Sequence, residues 1–379
     1  MAKTVFLTGA TGFVGANLAV KILTEETNAT LIALVRGETP TAARERFWKT
    51  IATVDPSAVN PDYERRVTVM IGDVSMSRLG LSDEDYDTVS STVTHIIHSA
   101  ASVDFQHPLE EARHINCGGT RNMLELARTA HANGTLCVFG HVSTAYVSGL
   151  RSGTIREDEL DHENGFSNSY EQSKFEAEQL VNDHKTSLPI VILRPSIVVG
   201  DSVTGVTTAF NVLYVPLKYI FHGYVPCLPG SSRTRLDVVP VDYVRDAAYH
   251  ILFRAQGAIG HTFHLTAGQG GISTTGDIVR RSVGVYNMFT SGRQITAPPF
   301  IPKRAFDTAL RFMRGGAIAA KALSIYESYL SLDRMYDTSN TVVALRGTNI
   351  AAPRFESYCE TILGYFLHAT SARRKLKAA

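Results

Sequence analysis

The segment TGATGFVG, residues 8–15, follows the apolar run KTVFL and opens a stretch, 12–23, with apolar residues at helical spacing. Of all features in the chain it limits the fold most. Gly9 permits a tight turn, Gly12 lets the backbone approach a pyrophosphate, and Gly15 allows a helix to pack closely on a strand. The helix N-terminus adds amide donors and partial positive charge. A second apolar run, ATLIALVRG, completes a β-α-β unit within the first 37 residues. Further apolar runs at RVTVMIG, VTHIIHSA, TLCVFGHVST and PIVILRPSIVVG alternate with helical segments. Strands alternating with helices predict an α/β fold with a Rossmann-type doubly wound parallel sheet covered on both faces. From residue 201 the texture turns aromatic and aperiodic, returns to strand and helix near 236–267, and is mainly helical afterwards. The reading is a dinucleotide-binding domain over 1–200 and 236–267, with a smaller, mainly helical C-terminal substrate lobe from 201–235 and 268–379.

Composition excludes several classes. The 379 residues carry a formal charge of +1 with acidic and basic residues mixed, which leaves no electrostatic footprint for nucleic acid. Four scattered cysteines with no C-x-x-C pair argue against zinc and a disulfide framework, so no metal is expected. No apolar run reaches about 18 residues, and the N-terminus lacks the pattern of a signal peptide. A cytoplasmic protein without a transmembrane segment is expected. The basic run RRKLK, 373–377, reads as a solvated end, with contact to a membrane or an acidic carrier as the alternative.

At the end of the second strand an NAD enzyme places Asp or Glu on the ribose 2′-hydroxyl, whereas this chain has LVRG. Arg36 suits a 2′-phosphate, so the expected cofactor is NADPH, with Arg46 closing the clamp in preference to Arg44. Tyr170 and Lys174 share a helix face at i and i+4 in SNSYEQSKFEAE. A hydride delivered to a carbonyl leaves an oxyanion that needs a proton donor; a phenol qualifies, and a neighbouring ammonium would draw its pKa down from about 10. Upstream, HVSTAYVSG closes an apolar strand with hydroxyls where open α/β sheets bind ligands. Thr144 is the candidate partner of the substrate oxygen, with Ser143 as the fallback for a one-residue slip of register.

These motifs, with GD at 72–73, HSAASVDF, NCGGT, LRPSIVVGDSVTG and VVPVDYVRDAA, resemble the extended short-chain dehydrogenase/reductase family over about the first 265 residues. Within it, HSAASVDF and STAYV resemble the branch of fatty acyl-CoA reductases and carrier-protein thioester reductases. The segment YESYLSLDRMYDTSNTVVAL is loosely similar to the C-terminal region of the fatty acyl reductases. The resemblance implies Thr144, Tyr170 and Lys174 as the catalytic trio, Lys174 also holding the nicotinamide ribose. It places Gly9, Thr11, Gly12, Phe13 and Gly15 at the pyrophosphate, and Arg36 and Arg46 at the 2′-phosphate. Asp73 and Val74 fall at the adenine; Ser99, Ala100, Ala101 and Ser102 at the phosphate-proximal ribose; Pro195, Ser196, Ile197 and Val198 at the nicotinamide. Asn116 reads as a local structural residue.

The implied activity is NADPH-dependent reduction of an acyl thioester to an aldehyde, or on to the alcohol. The thioester partner would be an acyl-CoA or an acyl carrier protein, and the enzyme a monomer or homodimer. The alternative is an epimerase or dehydrogenase acting on a nucleotide sugar or hydroxysteroid-like substrate; a non-catalytic NADP sensor would not need Tyr170. Residues 206–229, with Phe210, Tyr214, Tyr219, Phe221 and Tyr224, read equally as an apolar wall for an acyl chain and as plain core of the second lobe.

Overall fold

A computed structural model gives the architecture and describes residues 2–378 except 162, 211, 292–293 and 313–326. The side chains of 373–377 lie outside the described residues, so the expectation for the basic run has no structural counterpart here. Seven strands form the central sheet: β1 (Thr4–Thr8), β2 (Thr30–Val35), β3 (Val67–Ile71), β4 (His95–His98), β5 (Val138–Val142), β6 (Ile190–Pro195) and β7 (Thr262–Leu265). All pairings are parallel, in the order β7-β6-β5-β4-β1-β2-β3. The expected doubly wound sheet is therefore present.

Alternation along the strands builds two cores at once. Val5, Leu7, Ile97, Val191 and Leu193 face one side, packed with α1 (Phe13–Glu25), α2 (Pro40–Val54) and α6 (Val241–Phe253). Phe6, Ile96, Phe139, Ile190 and Ile192 face the other, packed with α3 (Gly119–Ala132) and α4 (Ser169–Asn182). Burial on both faces explains why the strands read as unbroken apolar runs. The chain winds outward from β1 to β3, then returns to β4, which opens a crevice between the C-terminal ends of β1 and β4.

A second core lies beyond β6. Residues 197–199 pair in parallel with 238–240, and α5 (Tyr214–Phe221), α7 (Thr275–Phe289) and α8 (Phe355–Ala378) pack together through Leu217, Phe221, Ile278, Val283, Ile362 and Phe366. Thr274 caps α7, accepting from the Asp277 amide at 3.1 Å while donating to its carboxylate at 2.7 Å. Residues 334–345, expected in the lobe, instead return to the dinucleotide-binding side. Arg334–Tyr336 pair with Gly153–Ile155, and the Glu157 carboxylate accepts from the Asn340 amide and, at 2.8 Å, from the Thr341 hydroxyl. The reason is electrostatic: Glu157 is buried at 2% exposure and needs donors, which this segment supplies.

Candidate active site

The β1–α1 turn is built by glycine geometry. Gly9 has φ +72°, and a Cβ there would meet the Ser99 carbonyl carbon at 2.6 Å. A Cβ on Gly15 would lie 2.2 Å from the Gly9 oxygen. Gly12 enters α1 without a side-chain cap, which leaves the first-turn amides free of a competing side-chain acceptor. Gly15→Ala is expected to lower stability by about 3 kcal/mol or more, because the clash is with backbone that cannot rotate away. Urea unfolding measures this; a change under 1 kcal/mol, on the order of a surface substitution, would mean the turn tolerates a methyl group.

Two adjoining clefts run along the sheet's C-terminal edge. The first, of about 260 Å³, is lined by Gly9, Thr11, Gly12, Arg36, Arg46, Asp73, Val74, Ser99, Ala100, Ala101 and Ser102. Arg46 donates through Nη1 to the Arg36 carbonyl at 3.1 Å, so the two guanidinium-bearing residues sit together. The second, of about 580 Å³, holds Phe13, Gly15, Thr144, Tyr170, Lys174, Pro195, Ser196, Ile197 and Val198. Thr11, Gly12, Ser99 and Ala101 line both. Every residue singled out from the sequence for catalysis or cofactor contact thus borders one continuous groove. A glycine-walled turn at a helix start, opening on a groove along the sheet's C-terminal edge, fits a nicotinamide dinucleotide.

The helix α4 presents the reactive pair. Asn168 caps it, accepting from the Glu171 amide at 2.9 Å, and this fixes the first turn from which Tyr170 projects. Thr144 borders the same cleft as Tyr170, its hydroxyl donating to the Pro195 carbonyl at 3.4 Å and accepting from the Tyr146 amide at 3.3 Å. The sequence predicts a phenol drawn down by the lysine ammonium. The structure differs: burial pushes Tyr170 up to about 12, and the nearby Thr144 hydroxyl only partly opposes this. Lys174 points elsewhere, donating from Nζ to the Val142 carbonyl at 2.9 Å, and burial brings it down to about 8 against the raising influence of Glu178. At neutral pH Tyr170 is therefore a protonated donor.

Ser143 also borders the cleft, but its hydroxyl donates to Glu178 at 2.5 Å. Glu178 in turn pairs with Arg194 at 2.6 Å, and both are buried. The arrangement locks α4 to β6 from behind. The signal for it was Arg194, a charge inside an apolar strand, which is almost never buried unpaired. The Ser196 hydroxyl is likewise committed, to Asp237 at 2.5 Å. Asn116 lies in a π-turn, His114–Gly118. Its amide oxygen accepts from the Ser102 amide at 2.8 Å and its nitrogen donates to Ser173 at 2.9 Å, which ties the cofactor-side loop to α4. Such turns recur at functional sites.

Three aromatic residues missed by sequence reasoning wall the mouth. Phe105 lies 5.5 Å from the Tyr170 ring and stacks on Tyr329 at 6.1 Å, while Tyr146 meets Tyr329 at 4.6 Å. The Tyr329 hydroxyl donates to Glu171 at 2.9 Å, the residue next to Tyr170. Within 206–229 the expected acyl wall divides. Tyr214 and Phe221 turn away from the Tyr170 cleft, toward Phe366 and an outer groove, and Tyr214 donates its hydroxyl to no substrate-facing group but accepts from the Gly200 amide at 3.0 Å. Thr208, Ala209, Val212 and Val215 face the cleft instead.

The parallel sheet, its glycine turn and the Thr144, Tyr170, Lys174 cluster define an extended short-chain dehydrogenase/reductase fold. Residues 7–248 match the family described as male sterility protein, and the chain belongs to that family. It is 30% identical over 273 residues to the nonribosomal peptide synthetase asaC of Aspergillus flavus, covering 69% of this chain and 26% of that protein. It is 30% identical over 271 residues to the fatty acyl-CoA reductase wat of Drosophila melanogaster, covering 63% of this chain and 52% of that one. The chain thus spans about half or less of the length of these curated relatives. Among solved structures, the terminal R domain from the myxalamid PKS-NRPS biosynthetic pathway is 28% identical, with a TM-score of 0.82, covering 97% of this chain and 91% of that chain. Among the described residues no helix is long and apolar enough to cross a membrane, and no group of three or more His, Cys, Asp or Glu could hold a metal ion.

Proposed function

We propose that the protein is an NADPH-dependent reductase of acyl thioesters, presented on coenzyme A or on a carrier protein, which releases the aldehyde and reaches the alcohol by a second reduction. The observation that carries this reading is a buried, neutral Tyr170 that shares with Thr144 a cleft whose far side is lined by Ala209, Val212 and Val215. NADPH, when bound, supplies the hydride. Gly9, Gly12 and the α1 amides would hold its pyrophosphate, and Arg36 and Arg46 its 2′-phosphate. Thr144 and Tyr170 would hold the carbonyl oxygen, and Tyr170 would protonate the oxyanion as it forms. Lys174, held at the Val142 carbonyl, would offer its ammonium to the nicotinamide ribose. Collapse of the hemithioacetal then expels the thiol. Among the described residues that line the cleft, Lys174 is the one cation, and a nucleotide-sugar diphosphate would want several.

NADPH oxidation with product analysis, run in parallel on acyl-CoAs, carrier-bound thioesters, free aldehydes and nucleotide sugars, tests the proposal. Aldehyde or alcohol from a thioester supports it; turnover of a nucleotide sugar alone overturns it. Arg36→Ala is expected to weaken NADPH binding by about 1.5–3 kcal/mol while leaving NADH nearly unchanged, since a charge-assisted phosphate contact is lost. Calorimetric titration with both cofactors checks this, and equal losses would remove Arg36 from the phosphate site.

A further inference from the structure

An apolar cavity lies against the Tyr170 cleft. Ile197, Val212 and Tyr329 each face two spaces, the Tyr170 cleft on one side and an apolar cavity of about 40 Å³ on the other. Leu213, Leu217 and Ile220 of α5 and Ile278 and Val279 of α7 line the cavity. Its two polar side chains are both committed: the Thr275 hydroxyl donates to the Ser231 carbonyl at 2.8 Å, and the Tyr329 hydroxyl to Glu171. A space without available polar partners stays dry, and its walls forgo contacts that the rest of the core makes.

Resting on the thioester reading, we infer that this cavity receives the aliphatic end of the acyl group while the carbonyl stands at Tyr170 and Thr144. Three observations carry the inference. The cavity adjoins the cleft: Ile197, Val212 and Tyr329 line both. Its lining offers nothing to an amine or hydroxyl, which would be buried unpaired at a cost. Its size, about 40 Å³, admits roughly two or three water-sized groups, enough for the last methylenes of a straight chain and too little for a ring. Leu228 and Leu236 line the cavity but not the cleft, and a volume of about 40 Å³ makes the cavity select chain length as well as polarity. The substrate class is therefore a linear aliphatic acyl thioester whose rate rises with each methylene until the cavity is filled and falls beyond it.

Two variants change the cavity without touching the reactive trio: Val279→Phe fills it and Leu217→Ala enlarges it. The first readout is kcat/KM over a series of straight-chain acyl thioesters. Val279→Phe should lower the value at the parent's preferred length by about tenfold or more, the worth of two buried methylenes, and leave an acetyl thioester within twofold. Leu217→Ala should move the preferred length upward. The second readout is calorimetric binding of non-reducible S-alkyl-coenzyme A thioethers without NADPH, where Val279→Phe should weaken a matched alkyl chain selectively against S-methyl-coenzyme A. Unchanged length profiles in both variants, or a uniform loss at every length with unaltered melting, overturn the inference. Selective loss of thioether binding in a protein that reduces no thioester keeps the cavity assignment and overturns the proposed reaction. If Val279→Phe does not fold, the direction of the shift in Leu217→Ala decides alone.

Discussion

Tyr170→Phe is expected to cut turnover at least about a hundredfold while cofactor affinity stays within about twofold, because general acid catalysis contributes on the order of 10² or more and the ring itself is kept. The geometry sharpens this expectation. Burial holds the phenol up to about 12, so across the neutral range it carries its proton. Thr144 shares the cleft and could steady an oxyanion, but a threonine hydroxyl cannot replace the proton that the phenol gives up. Single-turnover kinetics with fluorescence titration of the cofactor separates the two quantities. Near-normal turnover would dismiss Tyr170 as the donor; equal loss of binding and turnover would make it a packing residue.

Lys174→Met is expected to abolish turnover to a similar extent and, unusually for an active-site loss, to stabilise the fold. Lys174 is 2% exposed and its ammonium is brought from an ordinary 10.5 down to about 8, chiefly by burial. A group whose folded pKa lies below its unfolded value costs stability wherever it is charged in both states. The cost is therefore fully present below pH about 8 and is lifted as pH rises from 8 toward 10.5. The shift corresponds to about 3 kcal/mol, from which about 1 kcal/mol is subtracted for the Val142 carbonyl left without its donor. A net gain of about 2 kcal/mol at pH 7, shrinking to nothing or reversing near pH 10, is the expected result of urea unfolding at the two pH values. A variant less stable than the parent at pH 7 would show that the ammonium is held favourably in the resting protein.

Much of this arrangement was legible in the sequence because it rests on local rules. Strands buried on both faces give continuous apolar runs, a phosphate-binding turn requires glycine where backbone meets backbone, and Tyr170 and Lys174 share a face by helical spacing alone. What remained illegible depends on contacts between distant residues. Tyr329 stands 158 positions from Glu171, and nothing local marks it as a wall of the cleft. The aromatic, aperiodic stretch after residue 201 shows neither the helix α5 nor that Val215 faces the cleft while Tyr214 faces Phe366. The state of the phenol was misjudged for the same reason: spacing reveals a neighbouring lysine, whereas burial and the turn of its Nζ toward Val142 appear only in three dimensions.

The return of 334–345 to the sheet bears on how such enzymes can be recombined. A chimera that exchanged everything after residue 267 to import a new specificity would also exchange Asn340 and Thr341, the donors to buried Glu157, and Tyr329, the partner of Glu171. Both carboxylates belong to the retained half. In the hybrid Glu157 would keep the His264 amide and Glu171 the Ser167 amide, but each would lose its donors from the exchanged half, and a donor lobe with matching apolar lining would still be weakened at this seam. The workable unit of exchange is discontinuous: α5 and α7 can travel, while 327–345 must stay with the half that carries the two glutamates, or the glutamates must travel too.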